Sequence, residues 1–499
     1  MSKYVLGVDL GTSAVKVILV NKSGEIKAEA TREYPLSHPA PGYSEQNAED
    51  WVTGSIESIK EIIDSGVVNA DEIEGLSFSG QMHGLVLIDE TGTPLRPAIL
   101  WNDVRTTPQC ERITKTLGAH LLDDLKNKAL EGFTLPKILW VQEHEPEIFA
   151  KATTFLLPKD YVRYCLTGVI DMDVSDAAGT LMLDFKTNTW SAVVNEKFNI
   201  NPSICPPLIA AHGLSGTLLP AMAEATGLTS ATKVFAGGAD NACGALGAGI
   251  INEDVAMASI GTSGVILSHE NNADADYQGA VQFHSHGKPD SFYSMGVTLA
   301  AGNSLNWFKS TFAADKSFAE MLANIGSIKP GSNGLLFTPY IVGERTPYAD
   351  ALIRGSFIGM DTNHTFDHFA RAVLEGITFS LNDSLELMRV VGKKEINKII
   401  SIGGGAKNED WLQMQADIFN ATIIKLTSEQ GPALGSAILA AMGCAWFDSF
   451  EACKDAFIGY EKEFHPIPEN VAVYKEAYKI YKQVYGQTKA LNQQLHALR

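Results

Sequence analysis

The chain is poor in the features that mark exported and membrane proteins. Its 499 residues include six cysteines, which are scattered without a Cys-x-x-Cys pair or a zinc-ligand spacing. No run of about 18 apolar residues occurs. The N-terminus, MSKYVLGVDLGTS, reaches charge and glycine too soon for a signal peptide. We therefore expect reduced thiols in a soluble, cytoplasmic protein without a membrane partner.

Positive charge is also scarce. The formal net charge is −19 at pH 7, from 39 lysines and arginines against 58 aspartates and glutamates. This balance argues against nucleic acid or an anionic membrane surface as a general partner. An anionic ligand must then be held by backbone amides or by single cations. The content of 45% hydrophobic and 19% charged residues is typical of a globular protein, and the length predicts at least two domains.

The beginning of the chain predicts an α/β domain. Strand patterns at 4–9, 15–20 and 25–32 are followed by helical spacing of apolar residues over 48–63 and by another strand over 73–79. A tight turn, Gly11-Thr12-Ser13, joins the first two strands. The strand at 73–79 runs into the loop SGQMHG.

A later region repeats this order. Strands at 255–260 and 265–268 flank a second Gly-Thr-Ser turn, and a helix over 366–391 precedes a strand at 398–402 and the loop GGGAKN. Two matches in the same order predict a duplicated domain. We place the boundary after residue 247, which gives domains 1–247 and 248–499. Residues 101–220 and 271–343 are predicted insertions into the two copies.

The stretch VFAGGADNACGALGAG at 234–249 closes the first copy. An apolar strand delivers Asp240 to a helix of small residues, whose N-terminal N–H groups suit a nearby anion. Such a carboxylate is suited to take a proton from a substrate hydroxyl, the base's task in phosphoryl transfer. From this stretch alone, the simpler interpretation is that Asp240 caps the helix.

The two Gly-Thr-Ser turns, one in each copy, are suited to clamp a phosphate chain. Glycine lets the backbone approach the oxygens, while hydroxyls and amides donate to them. The alternative for each turn is a plain hairpin connection. Neither is a Walker A motif, because the GxxxxGK[ST] spacing is missing.

Taken together, DLGTS, GGADNACGALGAG, the second GTSG and GGGAKN resemble the FGGY family of carbohydrate kinases, in the family's order and over nearly the whole chain. This family belongs to the actin-like ATPase superfamily. The resemblance implies an α/β fold of two duplicated, ribonuclease H-like domains with a cleft between them. The implied cofactors are ATP and Mg²⁺, and the implied partner is a small sugar.

Three segments resemble most closely the family members that phosphorylate D-xylulose. They are SGQMHG at 79–84, ILWNDVR at 99–105 and PYIVGERTP at 339–347. The implied reaction moves the γ-phosphate of ATP to the 5-hydroxyl of this ketose in pentose catabolism.

The resemblance also assigns the sugar site. Asp240 takes the position of the general base, which reverses the choice made from its own stretch. The residues implied to contact the sugar are Met82, His83, Asn241 and Asp103. For Asp103 the alternative is a structural pair with Arg105.

The remaining matches imply a site for Mg-ATP. Asp9 takes the position of a catalytic aspartate that reaches the magnesium–phosphate group through water, since Mg²⁺ keeps several waters. The residues implied beside the phosphates and the adenosine are Gly11, Thr12, Ser13, Lys16, Thr262, Gly302, Gly404 and Asn408. In this set Lys16 supplies positive charge, Thr262 clamps the β- and α-phosphates, and Asn408 bonds the base. The alternative for Lys16 is a solvent-facing side chain.

Other functions stay open at this point. The nearest is a kinase for L-ribulose, gluconate, glycerol or another polyol. A non-enzymatic actin-like ATPase and a metabolite sensor without turnover are disfavoured by the presence of Asp9, Asp240 and the sugar loop. A homodimer is implied by the resemblance alone. A final helix from Pro468 carries tyrosines at helical spacing, which we interpret as core packing.

Overall fold

A computed structural model describes residues 3–498, and its first half is an α/β unit built on a seven-stranded sheet. The strands of this half are β1 (Tyr4–Leu10), β2 (Ala14–Asn21), β3 (Ile26–Glu33), β4 (Glu45–Gln46), β5 (Ile73–Gly80), β6 (Val86–Ile88), β7 (Ala98–Ile99), β8 (Thr154–Leu156), β9 (Met172–Asp173), β10 (Leu183–Asp184), β11 (Thr189–Trp190), β12 (Leu208–Ile209), β13 (Leu214–Thr217), β14 (Lys233–Phe235) and β15 (Gly238–Ala239). Its helices are α1 (Ala48–Asp64), α2 (Thr107–Leu117), α3 (His120–Asp123), α4 (Thr134–His144), α5 (Pro146–Phe149), α6 (Pro158–Thr167), α7 (Val174–Ala178), α8 (Ala192–Lys197), α9 (Pro220–Thr226) and α10 (Asp240–Ala248).

The second half is built on another seven-stranded sheet. Its strands are β16 (Val255–Ile260), β17 (Gly264–Glu270), β18 (Gln282–Ser285), β19 (Phe292–Thr298), β20 (Leu336–Thr338), β21 (Ser356–Ile358), β22 (Lys398–Gly403), β23 (Thr422–Leu426) and β24 (Tyr460–Phe464). Its helices are α11 (Gly302–Phe312), α12 (Phe318–Met321), α13 (Phe366–Val390), α14 (Glu409–Phe419), α15 (Gly431–Gly443), α16 (Phe450–Phe457) and α17 (Pro468–His496).

The two sheets share strand order and direction. The first runs β13-β14-β5-β1-β2-β3, with β15 beside β5, and the second runs β24-β23-β22-β16-β17-β19-β18. In each sheet two central strands are parallel, β1 with β5 and β16 with β22. On the far side of β1 and β16 the neighbouring strands are antiparallel. This correspondence, strand by strand, confirms the predicted duplication.

The predicted strands and helices around the two Gly-Thr-Ser turns are confirmed to within one or two residues. Two expectations were wrong: neither residues 101–220 nor residues 271–343 are wholly an insertion, because β13 in the former belongs to the first sheet, and β18 and β19 in the latter belong to the second. In position β19 matches β3 of the first half. A loop and the extra hairpin strand β18 separate β17 from β19, and this longer connection hid the repeat in the sequence.

The halves pack together through two helices that cross closely. Helix α15, from the second half, lies against β1 and β5 of the first sheet and against α10. A Cβ on Gly435 would lie 1.8 Å from the Cys243 carbonyl oxygen, and one on Gly7 would lie 2.2 Å from the Ala433 carbonyl oxygen. Only glycine permits backbones to approach this closely. The predicted boundary after residue 247 falls at the end of α10 and stays a prediction.

Helix α17 closes the second half with a row of tyrosines. Tyr474, Tyr478 and Tyr481 are buried. The Tyr474 hydroxyl donates to Glu375 over 2.7 Å, and the Tyr478 hydroxyl donates to Asp383 over 2.6 Å. Core packing, as predicted, accounts for this stripe. No helix within residues 3–498 is both long and apolar enough to cross a membrane.

Candidate active site

Asp240 is the first residue of α10 and follows β15, which pairs with the end of β5. The helix cap is Ala239, so the side chain of Asp240 is left free of capping. The Ala239 N–H donates to the Ser175 hydroxyl over 2.9 Å and fixes this connection. The Asp240 carboxylate lines a cavity of about 460 Å³, here called the catalytic cavity. It accepts a hydrogen bond of 3.1 Å from Asn241 Nδ2, which lies 3.3 Å from Met82 Sδ.

Asp9 lies near the end of β1, between Lys16 on β2 and Ser79 on β5 in the strand register. Burial raises its pKa to about 6, against the lowering effects of the Ser79 hydroxyl and the Lys16 charge. Burial and the charge of Asp9 raise the pKa of Asp240 to about 7. The charge of Asp9 therefore disfavours the ionisation of Asp240, as in a site that tunes a base.

The first Gly-Thr-Ser turn, residues 11–13, is held by side chains from outside it. The Tyr34 hydroxyl donates to the Gly11 carbonyl, and Gln46 Nε2 donates to the Thr12 carbonyl over 2.6 Å. With these carbonyls occupied, the turn is fixed in place beside Asp9.

The second turn, residues 261–263, is held by backbone bonds from the start of α11. The Gly302 N–H donates to the Gly261 carbonyl over 2.8 Å, and the Asn303 N–H donates to the Thr262 carbonyl over 3.0 Å. A Cβ at Gly302 would lie 2.3 Å from that Gly261 oxygen. The close approach explains why glycine stands at this predicted position.

The second turn lies between the catalytic cavity and a further cavity of about 470 Å³. Ser263 lines the first, and Gly261 lines the second together with Gly404 and Asn408. The apolar residues that complete the second cavity are Ile260, Leu305, Phe318, Leu322 and Trp411. The residues predicted around adenosine are thus brought together, on the far side of the turn from Asp240.

Asn408 has a structural task as well as a place in that cavity. Its side-chain oxygen caps α14 by accepting the Trp411 N–H over 2.9 Å. This bond restrains the amide, and the contact of Asn408 with adenosine stays a prediction.

His83 is held in a strained backbone conformation. Its φ is 69°, a value that non-glycine residues rarely adopt. The His83 carbonyl accepts from Lys137 Nζ and Thr134 Oγ1, each at 3.1 Å, and its Nδ1 lies 2.5 Å from the Gly179 carbonyl. The imidazole, which burial keeps neutral by lowering its pKa, therefore lines the catalytic cavity at a fixed orientation.

For Asp103 the geometry supports the alternative, a structural pair with Arg105. Its carboxylate has no exposed surface; Oδ2 accepts from the Ser44 N–H and from Arg105 Nη2, each at 2.6 Å, and Oδ1 accepts from the Arg105 N–H at 3.0 Å and from Arg105 Nε at 2.9 Å. The guanidinium of Arg105 also stacks on Tyr43 at 3.7 Å from the ring centre. Asp103 lines the catalytic cavity, but because these donors occupy both oxygens, its carboxylate orders the loop there, and its contact with sugar hydroxyls stays a prediction.

Lys16 lies where the halves meet. Its Nζ donates to the side-chain oxygen of Gln430, just before α15, and is 3.2 Å from a Glu29 oxygen. Its charge acts on Asp9. Its predicted place beside a phosphate stays a prediction.

Some residues of the site were missed from the sequence. Lys137 is fully buried, and burial lowers its pKa to about 7. Its signal was a single lysine within the apolar run TLPKILW of α4. Glu131, Gln282 and Arg345 also line the catalytic cavity. Only Arg345 had a sequence signal, in the GERTP segment, where no role was assigned to it.

The family is established by comparison. Residues 4–247 match the N-terminal domain, and residues 256–444 the C-terminal domain, of the FGGY family of carbohydrate kinases. The chain belongs to this family. The predicted fold class, two duplicated actin-like domains, and the prediction of a sugar kinase that uses ATP are thereby confirmed.

Individual relatives match along the whole chain. The xylulose kinase of Bacillus subtilis (strain 168) is 57% identical over 497 residues, which cover 100% of this chain and 99% of that protein. Among solved structures, a xyloylose kinase from Brucella ovis has a TM-score of 0.91 at 33% identity, covering 97% of this chain and 99% of that one. A ligand-bound xylulose kinase from Lactobacillus acidophilus has a TM-score of 0.93 at 26% identity, covering 99% and 100%.

Proposed function

We propose that the chain transfers the γ-phosphoryl group of ATP to the 5-hydroxyl of D-xylulose, giving D-xylulose 5-phosphate and ADP. The observation that carries this proposal is the Asp240 carboxylate, which shares one cavity with His83 and Asn241. Its pKa of about 7 makes it a stronger base than an ordinary carboxylate, yet largely ionised just above neutral pH. The whole-length similarity to proteins named xylulose kinase supports D-xylulose as the sugar.

In the proposed reaction Asp240 takes the proton of the 5-hydroxyl. That oxygen forms the new bond to the γ-phosphorus while the bond from phosphorus to the bridging oxygen breaks, and ADP leaves with the electron pair. Asn241 holds the Asp240 carboxylate through its 3.1 Å hydrogen bond. His83 and Met82 then line the sugar chain on the other side, one as a polar partner and the other as an apolar wall.

The nucleotide is proposed to span the second turn. Its adenosine occupies the cavity that holds Gly302, Gly404 and Asn408, and the amide donors of Asn408 face the base. Thr262 contacts the β- and α-phosphates as they cross towards the catalytic cavity. The turn of residues 11–13 receives the transferring group from the opposite side.

Magnesium fits the acidic end of this path. Asp9 offers an oxygen ligand type that Mg²⁺ prefers, and burial leaves its charge poorly compensated, since its pKa is raised to about 6. Asp9 would hold the ion through a water, with Lys16 near by. The bound ion supplies charge neutralisation to the phosphates.

The charges at the sugar cavity favour an uncharged ketose over an aldonate. Arg345 contributes a positive side chain to the catalytic cavity, and the negative charge of Glu131 in the same cavity offsets it. Asp240 adds further negative charge. No excess of positive charge therefore awaits a substrate carboxylate such as that of gluconate.

We further propose that the two halves close over the sugar and exclude water, which would otherwise accept the phosphoryl group. Small-angle scattering tests this: compaction is expected with D-xylulose and a non-hydrolysable ATP analogue together.

The protein is proposed to act in the cytoplasm, where ATP is supplied. It is also proposed to act as a homodimer, and light scattering of the purified protein checks this oligomeric state.

A coupled ADP-release assay tests the proposed function. The panel contains D-xylulose, D-ribulose, L-ribulose, gluconate, glycerol and no sugar, each with Mg-ATP. The highest kcat/KM is expected for D-xylulose. A higher value for another member would replace the proposed sugar and leave the kinase assignment intact. Folded protein that binds ATP but phosphorylates none of them would contradict the reaction itself.

A further inference from the structure

Arg345 differs from the other arginines that the structure describes. Within residues 3–498 the remaining eight all have a hydrogen-bond or ion-pair partner for the guanidinium. For the guanidinium of Arg345 no such partner occurs among the described residues. Arg345 nevertheless lines the catalytic cavity with Asp240 and His83. Arg345 is exposed in this cavity, and the carboxylate of Glu131 acts on its charge without bonding to it. A planar fork of donors that faces a ligand cavity in this way points to a ligand that brings the acceptors.

The backbone that carries Arg345 is fixed on both sides. The preceding carboxylate, Glu344, accepts from the Leu299 N–H at 3.1 Å and from the Ser380 hydroxyl at 2.9 Å. On the other side, the Thr346 N–H donates to the Val297 carbonyl over 3.0 Å, and its hydroxyl oxygen accepts the Val297 N–H at 3.1 Å. Such anchoring fixes the backbone that carries the donor, which lowers part of the entropy that binding would cost.

The position of Arg345 identifies the part of the ligand it would meet. Its charge is among the causes that lower the pKa of His83, whereas the pKa of Asp240 responds to burial and Asp9. Phe133, whose ring centre lies 4.9 Å from that of His83, also lines with Arg345 a small adjoining cavity that Asp240 does not line. Arg345 is thus nearer the His83 side of the cavity than the reacting side.

We propose that Arg345 binds the sugar at the end remote from the transferred phosphoryl group, donating to the carbonyl oxygen and an adjacent hydroxyl of a ketose. This proposal rests on the proposed function, in which the 5-hydroxyl lies at Asp240. The opposite end of a pentulose then carries C1 and the C2 carbonyl, a pair of neighbouring oxygens that matches the spacing of the guanidinium fork.

The proposal also makes the sugar a bridge between the halves. Met82, His83, Asp240 and Asn241 belong to the first half, and Arg345 belongs to the second. A sugar held by both would favour their approach, so its binding energy would contribute to assembly of the site.

The test compares Arg345→Gln and Arg345→Lys with Arg354→Gln. Arg354 is a matched control, because it donates to the Ala351 and Ile353 carbonyls and does not line the cavity. For D-xylulose we expect Arg345→Gln to lower kcat/KM about 10- to 100-fold, mainly through KM, as for a lost charge-assisted hydrogen bond. Arg345→Lys is expected to recover part of this loss. The KM for ATP should change less than about two-fold, because the nucleotide cavity is untouched.

A second readout separates sugar binding from a structural role. Xylitol keeps the hydroxyl chain but lacks the carbonyl, so the wild-type protein should bind D-xylulose more tightly than xylitol as measured by competition. In Arg345→Gln this preference should shrink. An unchanged KM and an unchanged preference would overturn the proposal, as would an equal loss of affinity for ATP. If the Gln variant does not fold, the same ratios in Arg345→Lys decide.

Failure of this inference is distinct from failure of the proposed function. Wild-type protein that phosphorylates D-xylulose, with Arg345→Gln unaffected, removes Arg345 from the sugar site and leaves the reaction. Wild-type protein that does not phosphorylate D-xylulose contradicts the proposed function before any variant is made.

Discussion

The two halves have the same sheet and the same kind of turn, but they place their carboxylates differently. Asp9 precedes the first turn near the end of β1, while Ser259 stands at the matching place on β16. Where the last parallel strand leads into the crossing helix, the first half has Asp240, the first residue of α10, and the second has Glu429, two residues before α15 begins. Asp240 lines the catalytic cavity, whereas Glu429 is exposed and accepts the Gly403 N–H over 2.8 Å.

Because of this difference, the two duplicated halves are suited to different tasks. The first half keeps two partly buried acids, and the charge of Asp9 raises the pKa of Asp240, at the cost of holding negative charge away from water. In the second half, Glu429 fixes the backbone beside Gly404. The cavity proposed to hold adenosine is lined largely by apolar residues. One half is therefore suited to chemistry and the other to binding.

The largest expected effect comes from removing the acid of the first half. Asp240→Asn keeps the size and hydrogen bonding but cannot accept a proton, so turnover should fall by about 10² or more. Glu429→Gln is the matched change in the second half and should keep turnover within about five-fold, since it leaves general-base catalysis intact. Initial rates of ADP release under saturating substrates measure both. Equal losses in the two variants would contradict the division.

The Asp240→Asn variant also has an expected effect on the stability of the fold. A carboxylate whose folded pKa is raised, as for Asp240, favours the folded state while it is protonated, and this contribution is lost as pH rises through about 7. Asp240→Asn should therefore unfold at a higher temperature than wild type above pH 7, and the gap should close in acid. Thermal unfolding monitored by circular dichroism across pH checks the sign. A variant that is less stable at high pH would argue against a buried, costly charge.

The second effect in size concerns magnesium. Asp9→Asn removes a charge that no residue of the second half duplicates, so the Mg²⁺ concentration needed for half-maximal rate should rise roughly 10- to 100-fold, as for loss of an outer metal ligand. Titrating Mg²⁺ at fixed ATP measures this, with Glu429→Gln as control. An unchanged titration would remove Asp9 from the metal site.

A third effect is the pH dependence of kcat/KM. Because Asp240 must be ionised to accept a proton, kcat/KM should fall as pH is lowered through about 7, and more steeply below about 6 where Asp9 also protonates. The two groups interact, so the apparent values belong to the pair. Glu429→Gln should retain this profile. A flat profile down to about pH 5 would exclude a base with a raised pKa.

Much of this comparison was visible in the sequence. The buried strands around each turn were predicted because short, nearly continuous apolar runs such as YVLGVDL and VAMASI are typical of strands that are buried on both faces. The acid after GGA was predicted by family resemblance, since its own stretch favoured a cap. The strand β19 was missed because its pairing with β17 depends on a connection whose length the sequence does not constrain.

The roles of Asp103 and Lys137 could not be assigned from the sequence and depend on the tertiary structure. A carboxylate in WNDVR is equally consistent with a sugar ligand and with an internal pair, and the structure shows the internal pair, in which Ser44 and Arg105 bond to it. Lys137 touches His83 across a separation of 54 residues. Contacts of this kind depend on tertiary packing, which local patterns do not contain.

The smallest expected effect tests how Lys137 supports His83 in the first half. Lys137→Met keeps the bulk and removes two donors, those to the carbonyls of His83 and Gly132. With its strained backbone less restrained, His83 should present its imidazole less well, and kcat/KM for the sugar should fall about 10-fold. Lys115→Met on the exposed face of α2 serves as the control.

A double-mutant cycle distinguishes positioning from general damage. If Lys137 acts through His83, then Lys137→Met should add little to the loss already caused by His83→Ala. Additive losses would mean that Lys137 supports the site by another route. The unfolding temperature of Lys137→Met should be no lower than that of wild type, because removing a buried ammonium that has no carboxylate partner within residues 3–498 offsets the two lost hydrogen bonds. A strong drop in that temperature together with additive losses would make Lys137 a packing residue and would leave His83 held by Thr134 and Gly179 alone.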